Sequence, residues 1–422
     1  MDITVHPSYI KGKVEAPASK SLTQRAIAAG MLAKGTTVIR NPSFCNDSLA
    51  AINMAGVLGA LITREHGSIT LQTGLRPVSP ITLHCGESGL ALRMFAPIAA
   101  LLSDHVTLTG EGSLLRRPVN MIVEALSQLG VQAETNGGFL PVTLTGRLRG
   151  GMVAIDGSTG SQLLTGLLMA LPLTDDKSRS AIKNKNESGS KIESESESVS
   201  EIEVRELRSK PYIDLTIQLL SKFGIRVEHT NYKRFIIPGN QSYLGREYII
   251  EGDWSGAAFL LVAGALAGDV TVGNLNVASL QSDRAIMHAL RDAGCRLTET
   301  AEGVRAERSD LKAFNYDATD SPDLFPPLAA LAAGCRGTSR IRGVSRLMHK
   351  ESDRAGTVTA VLEVLGIRSA IEGDVMLIEG GTVSGSVVSS HNDHRIAMMA
   401  AVMATAATGA VTIEGAEAVD KS

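Results

Sequence analysis

The sequence predicts an α/β (α+β) fold built from six repeated units, and three observations predict it. An amphipathic run ending in glycine recurs about every seventy residues. A second run, Ala/Leu-rich and apolar nearly all round, alternates with the first. Short β-like segments follow both. Two independent phrases that keep one period mark a repeat architecture.

The amphipathic phrase reads AINMAGVLGALIT, MIVEALSQLGVQAE, TIQLLSKFGIRVE, IMHALRDAGCRLTE and VTAVLEVLGIRSAIE, with Gly59, Gly130, Gly224, Gly294 and Gly366 closing the runs. Apolar residues at three- and four-residue spacing specify a helix. Glycine suits the left-handed position just past its end. The interval from Gly130 to Gly224 is longer than the others by roughly twenty residues. The surplus falls in 175–200, DDKSRSAIKNKNESGSKIESESESVS, whose polar low-complexity composition predicts a disordered surface insertion.

The apolar phrase has six copies, beginning near SKSLTQRAIAAGMLAKG, SGLALRMFAPIAALL, GSQLLTGLLMALPL, SGAAFLLVAGALAG, PDLFPPLAALAAG and DHRIAMMAAVMATAATG. Helices apolar on every side belong inside a core. Each unit therefore holds one buried helix, one amphipathic helix and several strands.

The 422 residues allow two or three domains. A net charge of −3 gives no overall attraction to nucleic acid, so an anionic ligand must be met by local cations. Cys45, Cys85, Cys295 and Cys335 are scattered, which argues against a zinc site and for a reducing compartment. MDITVHPSYI has no signal pattern and no apolar run reaches membrane length, so a cytoplasmic protein without a membrane partner is expected.

Chemistry concentrates where helices begin. Lys20, Ser21 and Arg25 open the first buried helix, with Ser19 or Ser21 as its expected cap. Glu87, Ser88, Gly89 and Arg93 open the second, Ser158, Ser161 and Gln162 the third, and Asp253 and Ser255 the fourth. Asp323 opens the fifth, and Asn392, Asp393, His394 and Arg395 the sixth. Arg116 and Arg117, Ser209 to Tyr212, and Lys350 to Arg354 precede amphipathic helices. Cations at N-terminal turns oppose the helix dipole unless an anion docks there, where free N–H groups and the dipole attract it. Asp253 is adequately explained as a cap, Glu351 and Arg354 as a surface i, i+3 pair, and His394 as a core histidine. A shared anionic ligand explains the whole set better.

With SKSLTQR, GESGLALR, RRPV, GSTGSQ, SKPYID, HKESDR and NDHR, the chain resembles the enolpyruvyl transferases over nearly its whole length outside the insertion. The closest likeness is to the branch acting on shikimate 3-phosphate. The resemblance implies a two-domain fold with three βαβαββ-type units in each domain and the active site in the cleft between them. The first domain would span 19–249 and the second 1–18 plus 250–422, with crossings near Ala18 and Ile250. The implied reaction moves the enolpyruvyl group of phosphoenolpyruvate to the 5-hydroxyl of shikimate 3-phosphate and releases phosphate. It serves aromatic amino acid synthesis and needs no metal or cofactor. A monomer is expected.

Carried over by motif, Lys20, Gly89, Arg93, Arg117, Gln162, Arg354, Arg395 and Lys421 would bind phosphoenolpyruvate. Lys20, Ser21, Arg25, Gly160, Ser161, Gln162, Ser209, Tyr212, Asp323 and Lys350 would bind shikimate 3-phosphate. The resemblance makes Glu351 the acid, Asp323 the base and Lys20 a second proton-transfer group, with His394 tuning Glu351. Glu87, Leu90 and Met94 stand where the family usually has Asn, Thr and Pro, so Glu87 is expected to keep away from phosphate. Gly160 replaces a common serine, leaving its backbone N–H as the donor there.

Two rivals share the scaffold. The sister branch acting on UDP-N-acetylglucosamine uses a loop cysteine, and no cysteine occupies the RRPV region. A noncatalytic anion-binding protein would have lost acid–base residues that are present here. Finally, no amphipathic run follows the sixth buried helix. The chain is therefore expected to continue past Ser422, and Lys421 to lie at a frayed, poorly placed end.

Overall fold

The computed structural model describes residues 1–75, 77–175, 198–348 and 350–421. Most of the expected insertion, 176–197, lies outside the described residues. At its far edge, strand Val199–Arg205 already begins, earlier than the composition indicated. Ser200 is polar yet wholly buried, because its Oγ accepts the Gly151 N–H at 3.2 Å.

The chain forms two compact units. The terminal unit comprises Met1–Thr23, Asn41–Asn46 and Ile250–Ser422, and the inner unit Gln24–Arg40 and Asp47–Ile249. The first division falls inside a helix, between Thr23 and Gln24 rather than near Ala18.

Eleven helices are described: α1 (Lys20–Leu32), α2 (Asn46–Val57), α3 (Gly89–Leu102), α4 (Asn120–Gln128), α5 (Gln162–Ala170), α6 (Lys210–Lys222), α7 (Trp254–Ala267), α8 (Ile286–Asp292), α9 (Phe325–Ala333), α10 (Arg354–Val364) and α11 (His394–Thr405). The apolar phrases are the odd-numbered helices. Within α9 every residue is buried, as expected for a helix without a polar face. The five glycines after α2, α4, α6, α8 and α10 all have positive φ, between 81° and 100°, which ends each helix without a Cβ clash.

Six small sheets organise the strands. One shows the pattern most simply. Ile81–His84 runs parallel to His105–Thr109 with α3 as the crossover, and the hairpin Gln132–Asn136/Phe139–Thr145 adds antiparallel to the second strand. This is βαβαββ, with helix and hairpin on one repeat. In the inner unit the first repeat borrows its leading strand from the far end of that unit, since Glu247–Ile249 runs parallel to Thr36–Arg40. In the terminal unit Ile10–Glu15 pairs parallel with Gly268–Gly273. The last sheet has three strands, with Ile3–Val5 antiparallel to Val411–Glu414.

The end of the described chain differs from the frayed terminus expected. Ala416–Lys421 is a 3-10 turn with Ala416, Ala418 and Lys421 buried. The turn is tied down because Ala416 N–H donates to the Met1 carbonyl and Lys421 Nζ to the Asn392 carbonyl, at 2.9 and 3.0 Å. No helix among the described residues is long and apolar enough to cross a membrane.

Candidate active site

In the terminal unit the predicted residues gather on the first turns of α1, α9, α10 and α11. Asp253, Asp353 and Asp393 cap α7, α10 and α11 with their side chains, which explains an acid at each of these starts. The cap of α1 departs from expectation. Ser19 O accepts the Thr23 N–H at 2.9 Å, as an N-cap carbonyl should, but Ser19 Oγ is buried without a hydrogen-bond partner.

Asp323 is the centre of this group. Its Oδ1 lies 2.8 Å from Arg354 Nη1 and 3.4 Å from Lys350 Nζ, and its Oδ2 is 3.2 Å from Arg395 Nη2. Burial would raise its pKa, but Arg395, Lys350 and Arg354 more than offset that and hold it well below the usual carboxylate range. Arg354 is fully buried and binds three carboxylates, those of Asp323, Glu351 and Asp393. The Glu351–Arg354 pair is an i, i+3 pair as the spacing allowed, but with a buried guanidinium rather than a surface one. Burial lowers the Lys350 pKa against the pull of Asp323.

His394 is buried, and neither ring nitrogen makes a hydrogen bond. Burial, then Lys20 and Arg395, push its pKa well below the ordinary value, so the ring is neutral at pH 7. Lys20 is half-buried, with Nζ 3.4 Å from the Lys421 carbonyl. Ser21, also half-buried, sits beside it on the first turn of α1.

The inner unit carries a second cluster. Arg93 Nη1 donates to the Gly89 carbonyl at 3.3 Å and to Gln162 Oε1 at 3.2 Å, and Nη2 to the Pro118 carbonyl at 3.2 Å. Burial and the neighbouring Arg117 bring its pKa down to about 10. Arg117 follows the 3-10 turn Gly112–Arg116 and donates from Nη2 to Ser113 Oγ at 3.2 Å. Glu87 braces that turn by accepting the Ser113 N–H at 2.7 Å. Gly112 has φ +53°, and a Cβ there would meet the Glu87 carboxylate at 2.4 Å. The acid that looked out of place among cations thus shapes the loop that carries Arg117. Gly89 has a different reason: a Cβ would lie 2.8 Å from Arg93 Nη1 and 2.9 Å from Arg117 Nη1.

Arg25 lies buried in the same unit. Its Nε donates to Thr216 Oγ1 at 3.0 Å, and its guanidinium carbon is 5.7 Å from the Tyr212 ring centroid. Thr216 donates its own proton to the Tyr212 carbonyl at 2.7 Å, so Thr165, 3.2 Å away, donates to Thr216. Burial lowers the Arg25 pKa to about 10. Ser161 and Ser209 stand before α5 and α6 but make no side-chain cap, and Ser209 holds a left-handed φ of +59°. The Gly160 N–H, expected to face phosphate, closes a turn onto the Gly157 carbonyl at 3.2 Å.

Sequence reasoning missed Thr216 and Asp283 as members of these clusters. Asp283 is buried in the 3-10 turn Ser282–Ala285, and burial, with repulsion from Asp323, pushes its pKa up to about 6. Thr216 lies inside α6 away from its start, and Asp283, although next to Arg284 ahead of α8, falls in a stretch that none of the singled-out motifs covers.

Comparison with known proteins gives one consistent result. The family described as EPSP synthase (3-phosphoshikimate 1-carboxyvinyltransferase) matches residues 5–195 and 194–422. A 3-phosphoshikimate 1-carboxyvinyltransferase of Clostridium kluyveri is 37% identical over 423 residues, covering 100% of this chain and 94% of the relative. Its counterpart in Aeropyrum pernix is 36% identical, covering 98% of this chain and 91% of the relative. The solved EPSP synthase of Acinetobacter baumannii superposes with a TM-score of 0.80 at 25% identity, covering 100% of this chain and 95% of that one.

Proposed function

The chain belongs to the EPSP synthase family, and from that premise we propose how its own residues serve the reaction. The activity is 3-phosphoshikimate 1-carboxyvinyl transfer, a step of aromatic amino acid biosynthesis. The relatives carry this activity rather than the UDP-sugar alternative.

In the terminal unit Lys20, Arg354, Arg395 and Lys421 supply cations for phosphoenolpyruvate, and Lys350 and Asp323 meet ring hydroxyls of shikimate 3-phosphate. In the inner unit Arg93, Arg117, Gln162 and Gly89 serve phosphoenolpyruvate. There, Arg25, Ser161, Gln162 and Tyr212 serve shikimate 3-phosphate, with Ser209 and the Gly160 backbone beside them. Ser21 completes the second set from the first turn of α1. The observation that carries this reading is the ring of Lys350, Arg354 and Arg395 around Asp323. Asp323, Glu351 and Asp393 balance these three cations, so an anionic substrate gains their charge by displacing carboxylates from them.

Asp323 accepts the proton of the 5-hydroxyl as that oxygen bonds to the enol carbon, and Glu351 protonates the methylene carbon. Elimination of phosphate, with loss of one proton from the new methyl group, restores the double bond. The neutral His394 leaves the charge balance of the site to lysines and arginines, which stabilise charge developing on the substrates. Before either carboxylate works, a substrate anion has to draw Arg354 from Asp323 and Glu351. Four free cysteines support operation in the reducing cytoplasm.

Phosphate release with phosphoenolpyruvate plus shikimate 3-phosphate, run beside phosphoenolpyruvate plus UDP-N-acetylglucosamine, tests the assignment. Turnover with the first pair alone is expected. Release only with the sugar nucleotide, or with neither, rejects it.

A further inference from the structure

Asp283 is a buried carboxylate, 1% exposed, which none of the roles above uses. Such a group is costly to bury unless hydrogen bonds and a counter-charge meet it. They meet it in part: Oδ1 is buried without a hydrogen-bond partner, while Arg395 and a hydrogen bond from the Ser255 hydroxyl favour the charged form and Asp323 and Asp253 oppose it. Ser255 Oγ also accepts from Arg395 Nη1. A hydroxyl that accepts from a guanidinium has its single proton left to give, so the order runs Arg395 to Ser255 to Asp283.

The turn bearing Asp283 cannot drift. Gln281 accepts the Trp254 N–H at 3.1 Å and donates to the Gly252 carbonyl at 2.8 Å, stapling the turn to the start of α7. Ser282 Oγ donates to the Asp320 carbonyl at 2.8 Å, which ties it to the approach to α9. Arg395 is otherwise held by the carbonyl and carboxylate of Asp323, at 3.3 and 3.2 Å. That carboxylate is the contact an incoming anion competes with, whereas Ser255 holds Nη1 from the first turn of α7 and Asp283 sits on a turn tied to that helix start.

We propose that Ser255 and Asp283 are positioning residues that keep the Arg395 guanidinium aimed at phosphoenolpyruvate. The inference rests on the assignment of Arg395 to that substrate. With shikimate 3-phosphate saturating, Ser255→Ala and Asp283→Asn should each raise KM for phosphoenolpyruvate about tenfold, the loss expected for a hydrogen bond to a charged group. Under the same conditions kcat should stay within about threefold of the parent and KM for shikimate 3-phosphate should not move. Ser255→Thr keeps the hydroxyl and should restore the parental KM. If Asp283→Asn does not fold, Ser255→Ala decides alone. Arg395→Gln separates the two ideas. A raised KM in Arg395→Gln with an unchanged KM in Ser255→Ala overturns the positioning role and spares the assignment. An unchanged KM in Arg395→Gln overturns the assignment and the inference with it. Equal loss of activity in Ser255→Ala and Ser255→Thr also overturns the inference.

Discussion

Arg354 donates from Nε to Asp393 Oδ2 at 2.8 Å and from Nη2 to Asp393 Oδ1 at 3.3 Å, with both side chains buried. Asp393 also caps α11 by accepting the Arg395 N–H at 3.0 Å. One carboxylate therefore fixes a helix start and a buried cation together. Asp393→Ala should destabilise the protein by about 3–5 kcal/mol, because it leaves a buried guanidinium short of a partner. Denaturant unfolding followed by circular dichroism measures this, and a change below about 1 kcal/mol would mean the pair contributes little.

Glu351→Gln should leave both KM values near the parent and reduce kcat by about a hundredfold or more, as the loss of a general acid does. Steady-state kinetics reads this directly. Near-parental kcat would remove Glu351 from proton transfer.

How legible this site was in the sequence varied with the kind of residue. The five terminating glycines, the odd-numbered buried helices and the cationic helix starts were plain, because each follows from local periodicity or from a charge at the wrong end of a dipole. For Glu87 the sequence predicts only that it keeps away from phosphate; that it holds the Ser113 N–H on a turn that follows α3 is a contact no local pattern announces. Ser19 begins α1 with its carbonyl, but its hydroxyl does not supply the side-chain cap that the sequence suggests. Thr216 and Asp283 were invisible for a related reason: their partners, Arg25 and Arg395, lie more than a hundred residues away in sequence.

Thr216→Val keeps the shape of the side chain but removes the oxygen that Arg25 Nε and Thr165 share. KM for shikimate 3-phosphate should rise roughly five- to tenfold, in line with one lost hydrogen bond to a charged group, and Thr216→Ser should reverse it. An unchanged KM would show that the Tyr212 ring alone suffices to orient Arg25.

Gly89→Ala should raise KM for phosphoenolpyruvate at least several-fold, because the new methyl group would stand 2.8 Å from Arg93 Nη1 and 2.9 Å from Arg117 Nη1. The backbone there is ordinary helix, so the melting temperature should change little. A large fall in melting temperature with an unaltered KM would contradict this account.

Asp283 and Asp323 predict opposite slopes of stability with pH. The Asp283 pKa rises from 3.8 to about 6 on folding, so between about pH 4 and 6 the native state binds more protons and stability falls as pH rises, by up to roughly 3 kcal/mol. Asp323 is held low, so its contribution is fully present above the unfolded carboxylate value and is lost as pH falls towards its folded value. His394, its pKa lowered by burial, adds a rise with pH over the same range. The Asp283 effect therefore shows in the difference: from pH 4 to 7 the unfolding free energy of the parent relative to Asp283→Asn should fall as pH rises. Identical slopes in the two proteins would mean that Asp283 is not held neutral by burial.

The pairing of Ile3 with Ile413 has a consequence for how the chain is made. A ribosome delivers every residue of the inner unit by Ile249, and that unit can then close its sheets unaided. The first strands of the terminal unit are by then long exposed, and their partners, Gly268–Gly273 and Val411–Glu414, are not yet translated. At about 5–20 residues per second, the wait from Ile249 to Glu414 is roughly eight to thirty seconds. Nascent chains arrested far enough past Ile249 for that residue to have left the ribosome should thus resist protease over the described helices and sheets of the inner unit while the first twenty or so residues are cut. The opening strands spend that interval as unpaired edges, which makes the earliest part of the chain the part most in need of a chaperone.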